Sequence, residues 1–140
     1  MYNTIEIIIM ANFKNLQMAN ALLIHEKLSI KSILFGLKKQ LVYIPTGSPV
    51  KVIRNNYHAD AVDQLQRIIE SDDKGLAAAV KSFRAKKQPI GNVELDICLS
   101  KDKNFVALQL LRFGDEYAYH PVTGPAFFEG EQAQLISSIL

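Results

Sequence analysis

The sequence contains no tryptophan, one cysteine, and only 7 glycines and 5 prolines in its 140 residues. The single cysteine, Cys98, excludes an intramolecular disulfide and is typical of proteins in a reducing compartment. Scarce glycine and proline exclude collagen-like and low-complexity chains, and an apolar content of 49% excludes intrinsic disorder. A chain of this length is expected to form one domain, spanning residues 1–140.

The sequence also lacks long uninterrupted apolar runs. The run Ile5–Met10 follows no basic residue and is too short for the core of a secretory signal. The most apolar window, Ile5–Leu28, contains nine polar or charged residues, whereas a membrane span needs about 20 mostly apolar ones. We therefore expect a soluble, cytoplasmic protein without a membrane partner.

Acidic residues are scarce in the first two thirds of the chain. Residues 1–92 carry 13 Lys/Arg against 7 Asp/Glu, and residues 93–140 carry 3 against 7. The stretches 27–59 and 74–93 contain basic residues and no acid, so each can contribute to a face that attracts anions. The sequence pI of about 8.6 is lower than is usual for a nucleic-acid-binding domain, which argues against a nucleic-acid partner. The candidate polyanion contacts are Lys38, Lys39, Arg54, Arg84, Lys86 and Lys87.

Apolar residues at helical spacing predict about four helices. The predicted helices cover residues 15–28, 59–70, 74–86 and 131–139. His58 immediately precedes the second of these, and we expect it to help that helix begin.

Alternating apolar and polar residues predict strands at 41–44, 50–53, 93–99, 104–113 and 117–119. The first two form a hairpin, and Asn55–Asn56 is expected to end the sheet there. The last three form a meander, in which we place Ile97 beside Val106. The segment 29–40 fits either a strand or a helix.

No alternation of single strands and helices is visible, so we predict an α+β fold rather than a parallel α/β fold. Its antiparallel sheet would combine two N-terminal hairpin strands with a C-terminal three-stranded meander. About four helices would pack against this sheet.

Aromatic residues are concentrated between Phe105 and Phe128, which holds 6 of the 12 in the chain. Tyr117 and Tyr119 project from one strand face, His120 follows, and Phe127 returns after a loop. An aromatic wall with a few polar tips suits a small apolar or aromatic ligand. The alternative is that these aromatics fill the core and cover the sheet.

Glu94, Asp96 and Cys98 share one face of a predicted strand. Paired carboxylates can perform acid–base chemistry, but we interpret these two as solvated surface groups. Carboxylates beside a thiol raise its pKa, so Cys98 is not expected to be a reactive nucleophile. We find no metal-binding or cofactor-binding motif, and we assign no catalytic residue.

The leading functional hypothesis is therefore a non-enzymatic binding or interaction module. Its opposite charges on the two halves of the chain suit self-association into a homodimer or capture of an unidentified protein partner. One alternative is a small enzyme or ligand-binding protein that uses Tyr117, Tyr119, His120 and Phe127. A second alternative is a weak binder of nucleic acid or another polyanion.

Overall fold

The computed structural model describes residues 25–114 and 119–140. In these residues, eight antiparallel strands form a sheet that curves into a half-barrel. The strands are β1 (Leu28–Ile33), β2 (Lys38–Tyr43), β3 (Ser48–Tyr57), β4 (Lys87–Gln88), β5 (Val93–Ser100), β6 (Phe105–Phe113), β7 (Tyr119–Pro121) and β8 (Ala126–Glu129). The helices are α1 (Val62–Ile69), α2 (Leu76–Lys81) and α3 (Glu131–Ser137), and a 3-10 turn at Ala59–Ala61 precedes α1.

The strand order in the sheet is β1-β2-β3-β5-β6-β7, with β4 paired to β3 and β8 paired to β6. The longest ladder joins β3 to β5, from Val50 opposite Ser100 to Tyr57 opposite Val93. This ladder unites the N-terminal hairpins and the C-terminal strands in one sheet. On its other side, β3 pairs with β2 at its start and with β4 at its end.

The two faces of the sheet bury different kinds of side chain. On the helix-covered face, apolar residues of β5 and β6 pack against the three described helices. This core includes Leu65, Ile68, Leu76, Leu95, Ile97, Leu108, Leu110 and Ile136. On the opposite face, Cys98, Phe105 and Ala107 pack with Leu41 and Tyr43 in a smaller apolar cluster. Because successive strand residues point to opposite faces, β5 contributes to both cores.

The predicted count of about four helices is wrong, although the fold is α+β in broad terms. The described residues contain three α-helices, and the sheet is larger than predicted. The predicted first helix was to end at Leu28, but Leu28 begins β1 and pairs with Tyr43; residues 15–24 lie outside the described part. The segment 29–40 forms strand, turn and strand. The helix predicted at 74–86 shortens to α2.

The sheet does not end at Asn55–Asn56, because β3 continues to Tyr57. The side chain of Asn55 is buried, and both asparagines continue the ladder with β5. His58 begins the next element as predicted, since its Nδ1 accepts a hydrogen bond from the main-chain N–H of Asp60 at 3.5 Å.

The β5–β6 hairpin pairs two residues away from the predicted register, with Ile97 opposite Leu108 instead of Val106. The turn explains this difference. The Oγ of Ser100 accepts a hydrogen bond from the N–H of Phe105 at 2.9 Å, so β5 extends to Ser100 and the turn covers residues 101–104. A shift of two residues leaves every side chain on its predicted face.

Gly91 connects β4 to β5 and passes against the main chain of Tyr57. A Cβ at this position would lie 2.1 Å from the carbonyl oxygen of Tyr57, so a side chain does not fit. This close approach holds the segment after α2 beside the end of β3.

Candidate functional site

A charged group lies on the opposite face of the sheet, where β3, β5 and β6 meet. We call Arg54, Glu94, Asp96 and Gln109 the carboxyl cluster. Arg54 lies across the ladder from Asp96, and Asp96 lies across the next ladder from Gln109. Asp96 is completely buried, and Glu94 is 4% exposed. The interpretation of these carboxylates as solvated is therefore wrong, because β5 is an inner strand with both faces covered.

In the carboxyl cluster, the guanidinium of Arg54 lies close to two carboxyl groups. The Nε of Arg54 lies 3.2 Å from Oε2 of Glu94 and 3.6 Å from Oδ1 of Asp96. Burial and, to a lesser extent, the neighbouring Asp96 together raise the pKa of Glu94 to about 8, while Arg54 opposes the shift. Glu94 therefore retains a proton at neutral pH beside the guanidinium of Arg54.

The proton on Glu94 also completes the hydrogen bonding of Asp96. Burial raises the pKa of Asp96, against the effects of Glu94 and Arg54. When both carboxyls are ionised, the Asp96 oxygens accept no hydrogen bond from the described residues. A protonated Glu94 can donate its O–H to Asp96. Because Asp96 is completely buried and thus inaccessible to a substrate, we interpret this arrangement as a structural network.

Cys98 follows Asp96 on the same face and is also buried. Burial raises the pKa of its thiol to about 12, and the charge of Asp96 contributes in the same direction. The predicted effect of the carboxylates on this thiol is confirmed for Asp96, although burial is the larger cause. Cys98 is consequently a thiol rather than a nucleophilic thiolate at neutral pH.

An open cavity of about 500 Å³ lies where the 3-10 turn, the start of α1, the segment after α2 and β4 come together. We call it the basic groove. Its volume is within the range of small-ligand sites. Its lining residues are His58, Asp60, Ala61, Gln64, Arg84, Ala85, Lys86 and Gln88.

Hydrogen bonds from its main chain and its guanidinium hold Arg84 in place at the basic groove. Its N–H donates to Oε1 of Gln64 at 2.7 Å, which ties the segment after α2 to α1. Its Nη1 donates to the carbonyl oxygens of Lys81 and Phe83, each at 2.8 Å. Among the residues that the structure describes, the remaining guanidinium nitrogens and the Nζ of Lys86 have no hydrogen-bond partner. These donors are available to a ligand.

The groove also contains a carboxylate. The Nδ1 of His58 lies 3.4 Å from Oδ1 of Asp60, so the two form an ion pair when the histidine is protonated. Asp60 offsets part of the positive charge, and the cations of Arg84 and Lys86 leave the lining positive overall. Both His58 and Asp60 are exposed to solvent, which keeps the groove accessible.

The six predicted polyanion contacts do not form one surface. Lys38 and Lys39 lie on the β1–β2 hairpin, and Arg54 belongs to the carboxyl cluster. Lys87 donates from Nζ to the main-chain oxygen of Leu140 at 2.7 Å. Only Arg84 and Lys86 of the six line the groove.

The predicted aromatic site is divided between two places along β6. His120 lies opposite Arg112, and Phe127 lies opposite Ala107, so about 16 Å of strand separates them. Phe127 packs against His25, with ring centroids 4.6 Å apart. Tyr117 lies outside the described residues, as does the side chain of Tyr119, and ligand binding by these residues stays a prediction.

Sequence reasoning missed His58, Gln64 and Gln88 as groove residues. Gln88 lies 24 residues after Gln64, and no local pattern links its segment to the one that holds His58 and Gln64. The sequence did contain a signal that Glu94 and Asp96 are buried. The continuous apolar run from Phe105 to Leu111, interrupted only by Gln109, indicates an inner strand buried on both faces, and β5 is its neighbour.

Comparison with protein-family models, curated proteins and solved structures gives no match to this chain. Within residues 25–114 and 119–140, no three His, Cys, Asp or Glu side chains converge as metal ligands do. The helices in those ranges are all too short or too polar to cross a bilayer.

Proposed function

We propose that this chain is a non-catalytic binding module that takes a phosphate-bearing ligand in the basic groove. The observation that carries this proposal is the open cavity of about 500 Å³ to which Arg84 and Lys86 present unused donors. A planar guanidinium suits phosphate oxygens because it can donate two parallel hydrogen bonds.

The contacts of Arg84 support binding at this place. Two carbonyl oxygens fix its Nη1, so the side chain loses little conformational freedom when a ligand arrives. The amides of Gln64 and Gln88 and the ring of His58 add neutral polar groups that can orient the ligand.

The lining of the groove favours binding over covalent catalysis. The Nδ1 of His58 lies 3.4 Å from Oδ1 of Asp60, where a carboxylate could orient a general base, but the same Nδ1 accepts the hydrogen bond from the N–H of Asp60. The lining residues, however, include no serine, threonine or cysteine that such a base could activate. Hydrolysis of p-nitrophenyl phosphate by the wild-type chain, abolished by His58→Ala, would instead make this protein an enzyme.

Titration with inorganic pyrophosphate tests the proposal by isothermal calorimetry. We expect saturable binding that weakens as salt is added, and a loss of at least about tenfold in affinity for Arg84→Gln/Lys86→Gln, because each removed charge contributes on the order of 1 kcal/mol. Lys74→Gln/Lys81→Gln is the matched control, since both lysines are exposed in the same acid-free stretch and do not line the groove. Equal affinities of the two double variants would contradict the proposal.

The proposal also includes self-association and a cytoplasmic location. Strand β1 is an edge of the described sheet, and its outer main-chain groups can pair with a second copy. The single, buried cysteine is consistent with a reducing compartment. We expect light scattering at micromolar concentration to give the mass of a dimer, and a monomer mass throughout that range would exclude the dimer.

A further inference from the structure

The hairpin between β1 and β2 ends in an apolar tip, residues Leu34–Leu37. Phe35 is fully exposed, and Leu34 and Leu37 are 63% and 88% exposed. These three account for nearly half of the large apolar side chains that the described residues expose. A contiguous apolar group in contact with water marks an interaction site.

The backbone of this tip is unfavourable for the residues that occupy it. Leu34 and Phe35 have φ of 53° and 57°, and the N–H of Gly36 closes the turn on the carbonyl of Ile33 at 3.1 Å. Gly, Asn and Asp normally occupy such left-handed positions, because this backbone strains residues with large side chains. Folding of the hairpin therefore does not explain why Leu34 and Phe35 are there.

Lysines surround the base of the tip. Lys31 and Lys38 lie on one side of the hairpin by register, and Lys39 lies on the other, where its Nζ donates to Oγ of Ser32 at 2.7 Å. No acidic residue occurs between Lys27 and His58. The hairpin thus presents apolar side chains at its end and uncompensated positive charge just behind them.

We propose that the hairpin tip inserts into the headgroup region of an anionic lipid bilayer, with the three lysines contacting lipid phosphates. The apolar tip matches the boundary between headgroups and acyl chains, and the lysines behind it match the charged headgroups. Their positive charge selects anionic lipid. The expectation of no membrane partner rested on the lack of a spanning segment. Insertion into the headgroup region alone does not require a membrane-spanning segment.

The absence of tryptophan gives this proposal a direct probe. Phe35→Trp places the only tryptophan of the chain at the tip. Ile90→Trp is a matched control, because Ile90 is 90% exposed and follows β4 at the end of β3, whereas the hairpin pairs with the start of β3. With phosphatidylcholine vesicles containing about 30% phosphatidylserine, we expect a blue shift in emission from Phe35→Trp and none from Ile90→Trp. Pure phosphatidylcholine vesicles should shift neither.

A second variant separates insertion from folding. Leu34→Asn/Phe35→Gly places residues that tolerate left-handed backbone at both positions, so the chain should fold at least as well as the wild type. We expect its sedimentation with anionic vesicles to fall at least about tenfold, and Lys31→Gln/Lys38→Gln to lose about fivefold per lysine at low salt.

Two results would overturn the proposal. One is sedimentation of Leu34→Asn/Phe35→Gly with anionic vesicles at the wild-type level. The other is failure of the wild-type chain to sediment with anionic vesicles at low salt. Arg84→Gln/Lys86→Gln should sediment as the wild type does, so this proposal and the basic groove fail independently.

Discussion

The carboxyl cluster and the basic groove both contain arginine, but the two regions use that charge differently. In the cluster, Arg54 lies within 3.6 Å of two buried carboxyls that strand pairing places around it. In the groove, the guanidinium of Arg84 donates only to main-chain oxygens, and its other nitrogens face an open cavity. The difference shows that the tertiary partners of a basic residue, rather than its place in an acid-free stretch, decide whether it can bind a ligand.

The two regions also differ in what happens when a charge is removed. A buried charge that loses its partner has no water to replace it, so the loss appears in the stability of the fold. An exposed charge is already solvated, so its loss appears only in the affinity for a ligand. We therefore expect the largest losses of stability in the carboxyl cluster.

Arg54→Ala should have the largest effect on stability. It leaves Glu94 and Asp96 buried together without a cation, and we expect the free energy of unfolding to fall by about 3 kcal/mol near neutral pH. Urea unfolding measures the change. Lys51→Ala, at an exposed position on the same strand, should cost less than about 0.5 kcal/mol. Similar losses in both variants would show that Arg54 is not a structural partner of the carboxyls.

Glu94 should make stability depend on pH. Its pKa is about 8 in the folded protein and near the ordinary value of 4.5 in the unfolded chain, so folding binds a proton between these values. The contribution of Glu94 is fully present below about pH 4.5 and decreases up to about pH 8, by at most about 1.4 kcal/mol per pH unit.

Glu94→Gln removes this titration, so we expect the variant to exceed the wild type in stability at about pH 8.5 and to have a smaller slope, to which the raised pKa of Asp96 still contributes. Urea unfolding across the pH range provides the measurement. Glu70→Gln is the control, because Glu70 is exposed and its change should keep the wild-type slope. If the full wild-type slope persisted in Glu94→Gln, the shared proton would have to be located elsewhere.

Sequence reasoning predicted the parts of this molecule that local patterns determine. It predicted which side chains of β5 and β6 share a face, the helix after His58, and the raised pKa of the Cys98 thiol. The hairpin register was wrong by two residues because the hydrogen bond of Ser100 to Phe105 lengthens β5, and alternation alone does not report a turn contact.

The candidate site depended on contacts between distant segments. Pairing of β3 with β5 joins Arg54 to Asp96 across forty residues, and that pairing turned a predicted polyanion contact into a structural ion pair. The groove likewise needs α1 beside the segment after α2, where Gln64 accepts from Arg84. Neither contact follows from periodicity, since both strands and helices of the same pattern can pair with several neighbours.

The most direct test of the contrast is to measure stability and pyrophosphate affinity together for Arg54→Gln and Arg84→Gln. Each variant removes one guanidinium. The account predicts that Arg54→Gln lowers the free energy of unfolding and leaves the affinity of the folded protein unchanged, whereas Arg84→Gln lowers the affinity and leaves stability within about 0.5 kcal/mol of the wild type. A loss of affinity in Arg54→Gln equal to that in Arg84→Gln would contradict it.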